Sequence, residues 1–150
     1  MSNQVCDRRR FLQVVAGGGV LAGAASLGVG CGAALSGTYA GGNVSSVAVG
    51  SLTALSSAPL AVGRDAQGVY AMTLICTHAG CDMATQGSVS SQGIACFCHG
   101  SQFDVNGNPI GGPAPSPLEH YQVTIDATGA ISIDADVTVA ESTRTPVTTG

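Results

Sequence analysis

Two short stretches gather most of the reactive side chains of this 150-residue chain: CTHAGC at 76–81 and CFCHGS at 96–101. Together they hold four of its six cysteines and two of its three histidines. Each pairs a thiol with an imidazole at close spacing, Cys76 with His78 and Cys96 with His99. Two such loops on neighbouring hairpins can close a four-ligand site of two thiolates and two neutral imidazoles, a soft donor set for a metal or metal–sulfur centre. Cys81 and Cys98 are left over, and Cys96 stands too close in sequence to Cys98 to pair with it comfortably.

The elements that must hold these loops read as strands. Aromatics are scarce, Trp and Lys are absent, and Val, Ile, Thr, Ser and Gly are plentiful, which favours short strands joined by glycine turns. Residues 60–64 and 69–75 are predicted as a hairpin across DAQG, with Val69, Ala71, Thr73 and Ile75 alternating against Tyr70, Met72 and Leu74. The second of these strands delivers the chain into CTHAGC. After CFCHGS come a strand over 103–105 and the Asn106-Gly107 dipeptide, a strong hairpin signal. GGPAPSP at 111–117 should be a rigid loop, because its prolines lack donors and fix φ. Residues 118–126 and 131–134 close another hairpin across ATGA, and 44–49 reads as a first strand. The predicted fold class is all-β: one small antiparallel domain of stacked sheets whose hairpin loops bind the centre.

Charge is unevenly spread. Three of five arginines are Arg8, Arg9 and Arg10, no charged side chain occurs from Phe11 to Gly63, and beyond Cys31 eight acids face only Arg64 and Arg144. This acidic head excludes nucleic acid as a partner, since phosphates need a basic surface. A basic redox protein would be steered towards it.

DRRRFLQ at 7–13 resembles the bacterial twin-arginine export signal, with Asp7 and Gln13 at positions where Ser or Thr and Lys are commoner. The uncharged run 11–29 follows, about 28 Å long as a helix and barely enough to cross a bilayer. Gly28, Val29, Gly30 and Cys31 resemble a lipoprotein cleavage box, so cleavage, retention as an anchor and lipidation at Cys31 all stay open. The expected organisation is a signal or anchor at 1–31, a flexible linker at 32–43, the domain at 44–136 and an extended tail at 137–150 with little to bury. The expected location is the periplasm, reached already folded.

The two boxes, with seventeen residues between His78 and Cys96, resemble those of Rieske iron–sulfur proteins, CTHxGC and CxCHGS, and the resemblance extends over about 60–134, proline loop included. It implies one [2Fe-2S] cluster per chain, with Cys76 and Cys96 on a buried iron and His78 and His99 on an outer one. It also implies a Cys81–Cys98 disulfide, which needs an oxidising compartment. Ser101 takes the place of a hydroxyl that donates to a cluster sulfur. Phe103 stands where the highest-potential members carry a Tyr, so the expected midpoint lies below theirs. Potentials of such centres run from roughly −150 to +300 mV, against about −400 mV for plant-type ferredoxins.

The resemblance therefore implies an electron-transfer protein with no catalytic residue of its own, passing single electrons between an oxidoreductase and a cytochrome-like partner. The alternative is the iron–sulfur subunit of a larger enzyme, a quinol:cytochrome c reductase or an arsenite-oxidase-type complex with its cytochrome b or molybdopterin subunit; the short tether and Phe103 lean towards the oxidase type. A structural zinc module is the reading from ligand type alone, although CxH with CxxH is not a usual zinc-finger spacing. A self-contained oxygenase needs a second iron on two histidines and a carboxylate, and only His120 remains. His120, beside Glu119 and Tyr121, reads as a surface residue, and Asp134 with Asp136 as a solvated strand end.

Overall fold

The computed structural model describes residues 34–147. The twin-arginine motif, the apolar run, Cys6 and Cys31 lie outside them. Ten strands form two antiparallel sheets: β1 (Thr38–Asn43), β2 (Ser51–Ala54), β3 (Leu60–Arg64), β4 (Val69–Thr73), β5 (Gly87–Ser90), β6 (Gly93–Cys96), β7 (Gln102–Phe103), β8 (Pro109–Gly111), β9 (His120–Ile125) and β10 (Ala130–Val139). The larger sheet has the order β1-β10-β9-β4-β3-β2 and the smaller β5-β6-β7-β8. No helix among the described residues is long and apolar enough to cross a membrane.

The β3–β4 hairpin forms where the alternation predicts it, pairing Leu60 with Thr73 and Arg64 with Val69. Every residue of β4 is buried, because the two faces of the alternation serve two cores. Tyr70, Met72 and Leu74 pack with Met83, Ile94, Phe103, Leu118, Cys76 and Cys96 on the side of the smaller sheet. Val69 and Ala71 pack with Leu60, Val62, Val123, Ile131 and Ile133. Each fully buried aliphatic side chain contributes about 1.5–3 kcal/mol, and the whole β3–β4 hairpin serves both cores, since Ala61 of β3 joins the first and Leu60 and Val62 the second.

Several expectations give way here. Residues 38–43, placed in a flexible linker, form β1 and pair with β10; small side chains and Gly42 at positive φ let this edge strand bulge along its partner. The first strand predicted at 44–49 is instead a 3-10 turn over Val44–Ser46, capped by Asn43, whose side chain accepts from the Ser45 amide at 3.0 Å. Arg64 fixes it by donating to the Val44 and Val47 carbonyls, both at 3.1 Å. The tail is also less idle than its composition indicates. β10 runs on to Val139 across a register shift after Asp134, and Thr145 bridges to Val69. The β5–β6 hairpin carries no clear sequence signal, with only Val89 and Ile94 as large apolar residues among serines and glycines.

Arg144 ties the tail down. Its Nε donates to Asp65 at 2.5 Å, one terminal nitrogen to the Asn106 side chain at 2.7 Å, and the guanidinium lies 4.0 Å above the Tyr70 ring. The strap thereby joins the β3–β4 turn to the β7–β8 turn.

Candidate metal centre

β4 leads into the first loop, and β6 ends on Cys96 at the start of the second. The loops repeat one backbone pattern. The Cys76 amide donates to the Cys81 carbonyl at 2.9 Å and the Gly80 amide to the Cys76 carbonyl at 2.8 Å. Correspondingly, Cys96 donates to Ser101 at 2.8 Å and Gly100 to Cys96 at 3.1 Å. Both turns need the fifth residue in left-handed backbone, Gly80 at φ 74° and Gly100 at φ 78°, which a glycine adopts without steric cost. The shared C-x-x-x-G spacing of CTHAGC and CFCHGS is the sequence trace of this geometry.

The proline loop closes over both turns. Thr77 Oγ1 donates to the Ser116 carbonyl at 2.8 Å. Gly112 sits at φ 76° with the Gly100 carbonyl and Ser101 Cα where a Cβ would be.

Within this frame Cys76 and Cys96 are buried and outside any disulfide, while His78 and His99 are exposed, their rings edge to face with centroids 4.8 Å apart. Burial pushes the Cys96 thiol up, and the neighbouring Cys76 adds to it, so a cation that draws off both protons suits this pair. Cys81 and Cys98 form the disulfide. The sulfurs of Cys81, Cys96 and Cys98 lie within 4.8 Å of one another, but two of them are bonded together and offer no thiolate.

Ser101 is fully buried, and its Oγ has no hydrogen-bond partner among the described residues. Leaving a buried hydroxyl unpaired costs about 1–3 kcal/mol, so the site fits a bound group that presents an acceptor there. Phe103, 1 % exposed, packs in the same core as Cys76 and Cys96.

The Rieske [2Fe-2S] domain model matches residues 38–122. The chain belongs to this family. The match begins in β1, earlier than the motifs alone indicate. Among relatives, the cytochrome b6-f complex iron-sulfur subunit of Synechococcus sp. (strain CC9605) is 37 % identical over 88 residues, 59 % of this chain and 44 % of that protein. That of Synechococcus sp. (strain JA-2-3B'a(2-13)) is 42 % identical over 57 residues, 38 % of this chain and 32 % of that protein. The chain thus spans less than half the length of these relatives. Among solved structures, the Sphingomonas yanoikuyae B1 ferredoxin aligns at TM-score 0.47 with 31 % identity, covering 65 % of this chain and 98 % of that one.

The protein is therefore a Rieske electron-transfer domain and its cofactor is a [2Fe-2S] cluster. Two buried thiols, two adjacent surface imidazoles and a buried hydroxyl without a partner fit that group. A structural zinc module falls away with the family match.

His120 is not the surface residue that its polar neighbours suggest. It is 3 % exposed, its Nδ1 lies 3.2 Å from the Leu118 carbonyl, and its ring stacks on Tyr70 at 6.1 Å. The start of β9 beside β4 puts it inside, where the register pairs Met72 with His120. Asp134 and Asp136 lie within β10 and not at its end: Asp134 is half-buried, whereas Asp136 is exposed as expected and accepts from the Gly37 amide at 3.1 Å.

Proposed function

We propose that Cys76 and Cys96 bind one iron of the cluster and His78 and His99 the other, and that the protein carries single electrons in the periplasm between an oxidoreductase and a cytochrome-like acceptor. The observation that carries this reading is the division of exposure: the two thiols are buried and the two imidazoles reach solvent. When bound, the cluster takes up and releases one electron, at a raised potential because neutral imidazoles replace two thiolates. The chain's own residues do the rest. The paired turns hold four ligand side chains in place, the disulfide and the proline loop brace them, and the buried thiols keep water from the inner iron. Ser101 donates to a cluster sulfur, which favours the reduced, more negative state.

Purified protein should be coloured, give about two irons and two acid-labile sulfides per chain, and show a low-field paramagnetic signal after dithionite. Cys76→Ser and His78→Ser should each abolish the signal. A colourless protein holding a single zinc ion would end this reading.

The second reading, a subunit of a larger complex, is favoured by the relatives' printed name, cytochrome b6-f complex iron-sulfur subunit. Among complexes, that name supports a cytochrome-containing complex over a molybdenum oxidase. Copurification with a cytochrome b from solubilised membranes decides between carrier and subunit. Export by the twin-arginine route rests on DRRRFLQ. A double Arg8→Lys, Arg9→Lys substitution should leave the protein in the cytoplasm, with its cluster assembled.

A further inference from the structure

We propose that the cleft between the first cysteine–histidine loop and the middle of β10 binds a small organic cation, an ammonium or guanidinium on a short aliphatic stem, and that the reduced protein holds this ligand more tightly than the oxidised one. The second half rests on the reading that Cys76 binds an iron of the cluster.

The cleft has a volume of about 710 Å³, within the range of about 300–1,000 Å³ that small-molecule sites occupy. Its shape is set by a break in the larger sheet. Residues 135–137 of β10 stand out of register with β9, between the pairs Gln122 with Asp134 and Tyr121 with Thr138, and a bulge of this kind re-aims the side chains that it carries. Asp136 and Thr138 line the cleft on that side, and Cys76, Thr77, Ser116 and Pro117 line it on the side of the metal centre. The Thr77 hydroxyl donates to the Ser116 carbonyl at 2.8 Å and joins these last two loops into one wall. The chain ahead of β1 borders the cleft at Ala34–Ser36. It is held there by the Ala135 amide donating to the Gly37 carbonyl at 3.0 Å and by the Gly37 amide donating to Asp136 at 3.1 Å.

The lining selects the occupant by charge and by polarity. Among the described residues, Glu119 and Asp136 are the only charged groups around the cleft, so an anion meets repulsion without a counter-charge. Leu35, Ile75, Pro117 and Ala135 give it apolar walls, which suit an aliphatic stem. A hard metal ion, which needs about six to eight oxygens, finds too few. The Thr73 hydroxyl already accepts from the Ile75 amide at 3.0 Å, and Asp136 spends one oxygen on Gly37. Glu119 is left with the long contact from the Tyr121 hydroxyl, 3.4 Å, and is open to a cationic donor. Cys76 and Thr77 are all that part this cleft from the cluster ligands. A cation held against that wall favours the reduced, more negative centre. By reciprocity, reduction tightens its binding by the factor that its binding favours reduction.

The probes are n-butylammonium and n-butylguanidinium, with butan-1-ol and butyrate as uncharged and anionic comparators of the same stem length. Holoprotein, its visible and paramagnetic spectra recorded first, is titrated by calorimetry in both oxidation states and by voltammetry at constant ionic strength. Both cations should bind saturably at one site per chain, and the two comparators should not. The midpoint should rise with cation concentration and level off; a tenfold preference for the reduced form corresponds to a rise of about 59 mV. Glu119→Gln and Asp136→Asn keep shape and remove charge at exposed positions, and each should weaken binding roughly threefold to fivefold. Glu141→Gln removes the same charge at an exposed residue outside the cleft and should leave binding unchanged. A lack of saturable binding, equal binding of butan-1-ol, equal effects of Glu119→Gln and Glu141→Gln, or a midpoint that stays level at saturation would each overturn the proposal. Those failures occur in protein that carries its cluster. Protein purified without a cluster overturns the functional reading instead, so the two are told apart by the spectra taken before titration.

Discussion

Ser101 and Phe103 are two residues apart, both fully enclosed, and differ in what they can donate. The Ser101 hydroxyl has no partner among the described residues, so its removal should be felt by the cluster and hardly by the fold. Ser101→Ala is expected to lower the midpoint potential by on the order of 60 mV, the one-electron equivalent of about 1.5 kcal/mol for a charge-assisted hydrogen bond. Voltammetry on the variant checks it, and an unchanged midpoint would reduce Ser101 to a loop residue. Phe103→Tyr should move the midpoint the other way, but at 1 % exposure the added oxygen must fit a packed core and should cost about 1–3 kcal/mol of stability. Both positions are legible in the sequence because they stand at fixed offsets from Cys96, Ser101 closing the second box and Phe103 two residues beyond it. The burial of His120 is not legible: its polar neighbours Glu119 and Tyr121 describe the strand, whereas the pairing with Met72 decides which way that strand faces.

At the scale of elements, the centre is a pair of similar turns clamped by a third loop. Gly112 is the tightest point of the clamp, since a side chain there would meet the Gly100 carbonyl. Gly112→Ala should destabilise the domain and loosen the cluster, read as faster bleaching of the visible bands during denaturant unfolding. The C-terminal strap is a separate device. Burial works to raise the Asp65 carboxyl, but the hydrogen bond from Arg144 outweighs it with help from the Gln67 amide, leaving the carboxyl below its usual value. Asp65 is 39 % exposed, so solvent screens the pair, and Arg144→Gln should cost about 1–2 kcal/mol in all, including the loss of the stack on Tyr70. The β3–β4 hairpin and proline loop are visible in the sequence because alternation and imino acids act locally. The strap and β1 are not, because their polar or glycine-rich residues gain order only from partners distant in the chain; β5–β6 pairs locally, but its serines and glycines leave too few apolar residues to mark an alternation.

For the whole molecule, stability should fall at both ends of the pH scale for traceable reasons. Burial holds His120 neutral and pushes its pKa below 6.5, partly offset by the hydrogen bond to the Leu118 carbonyl. The unfolded chain then binds the proton first as pH falls, so this contribution is complete above about pH 6.5 and is lost below it. Tyr121 runs the other way. Burial, then the Glu119 charge, push it up to about 12, so its contribution is complete below about pH 10 and is lost between about 10 and 12 as the unfolded chain ionises first. Denaturant midpoints across pH should show both slopes, with His120→Gln flattening the acid one and Tyr121→Phe the alkaline one. The Cys81–Cys98 bridge closes a loop of sequence separation 17, and Cys81→Ser with Cys98→Ser should cost about 3 kcal/mol.

The sequence by itself determined the chemistry. Cys, His, Gly and Ser at fixed spacings specify the ligand types and the turns that present them, because those interactions span no more than six residues in either loop. Only the tertiary structure decided which of these groups reach water. Whether Cys76 is sealed and Phe97 exposed depends on how two sheets and a proline loop stack around the turns, and that packing is made by residues far apart in the chain.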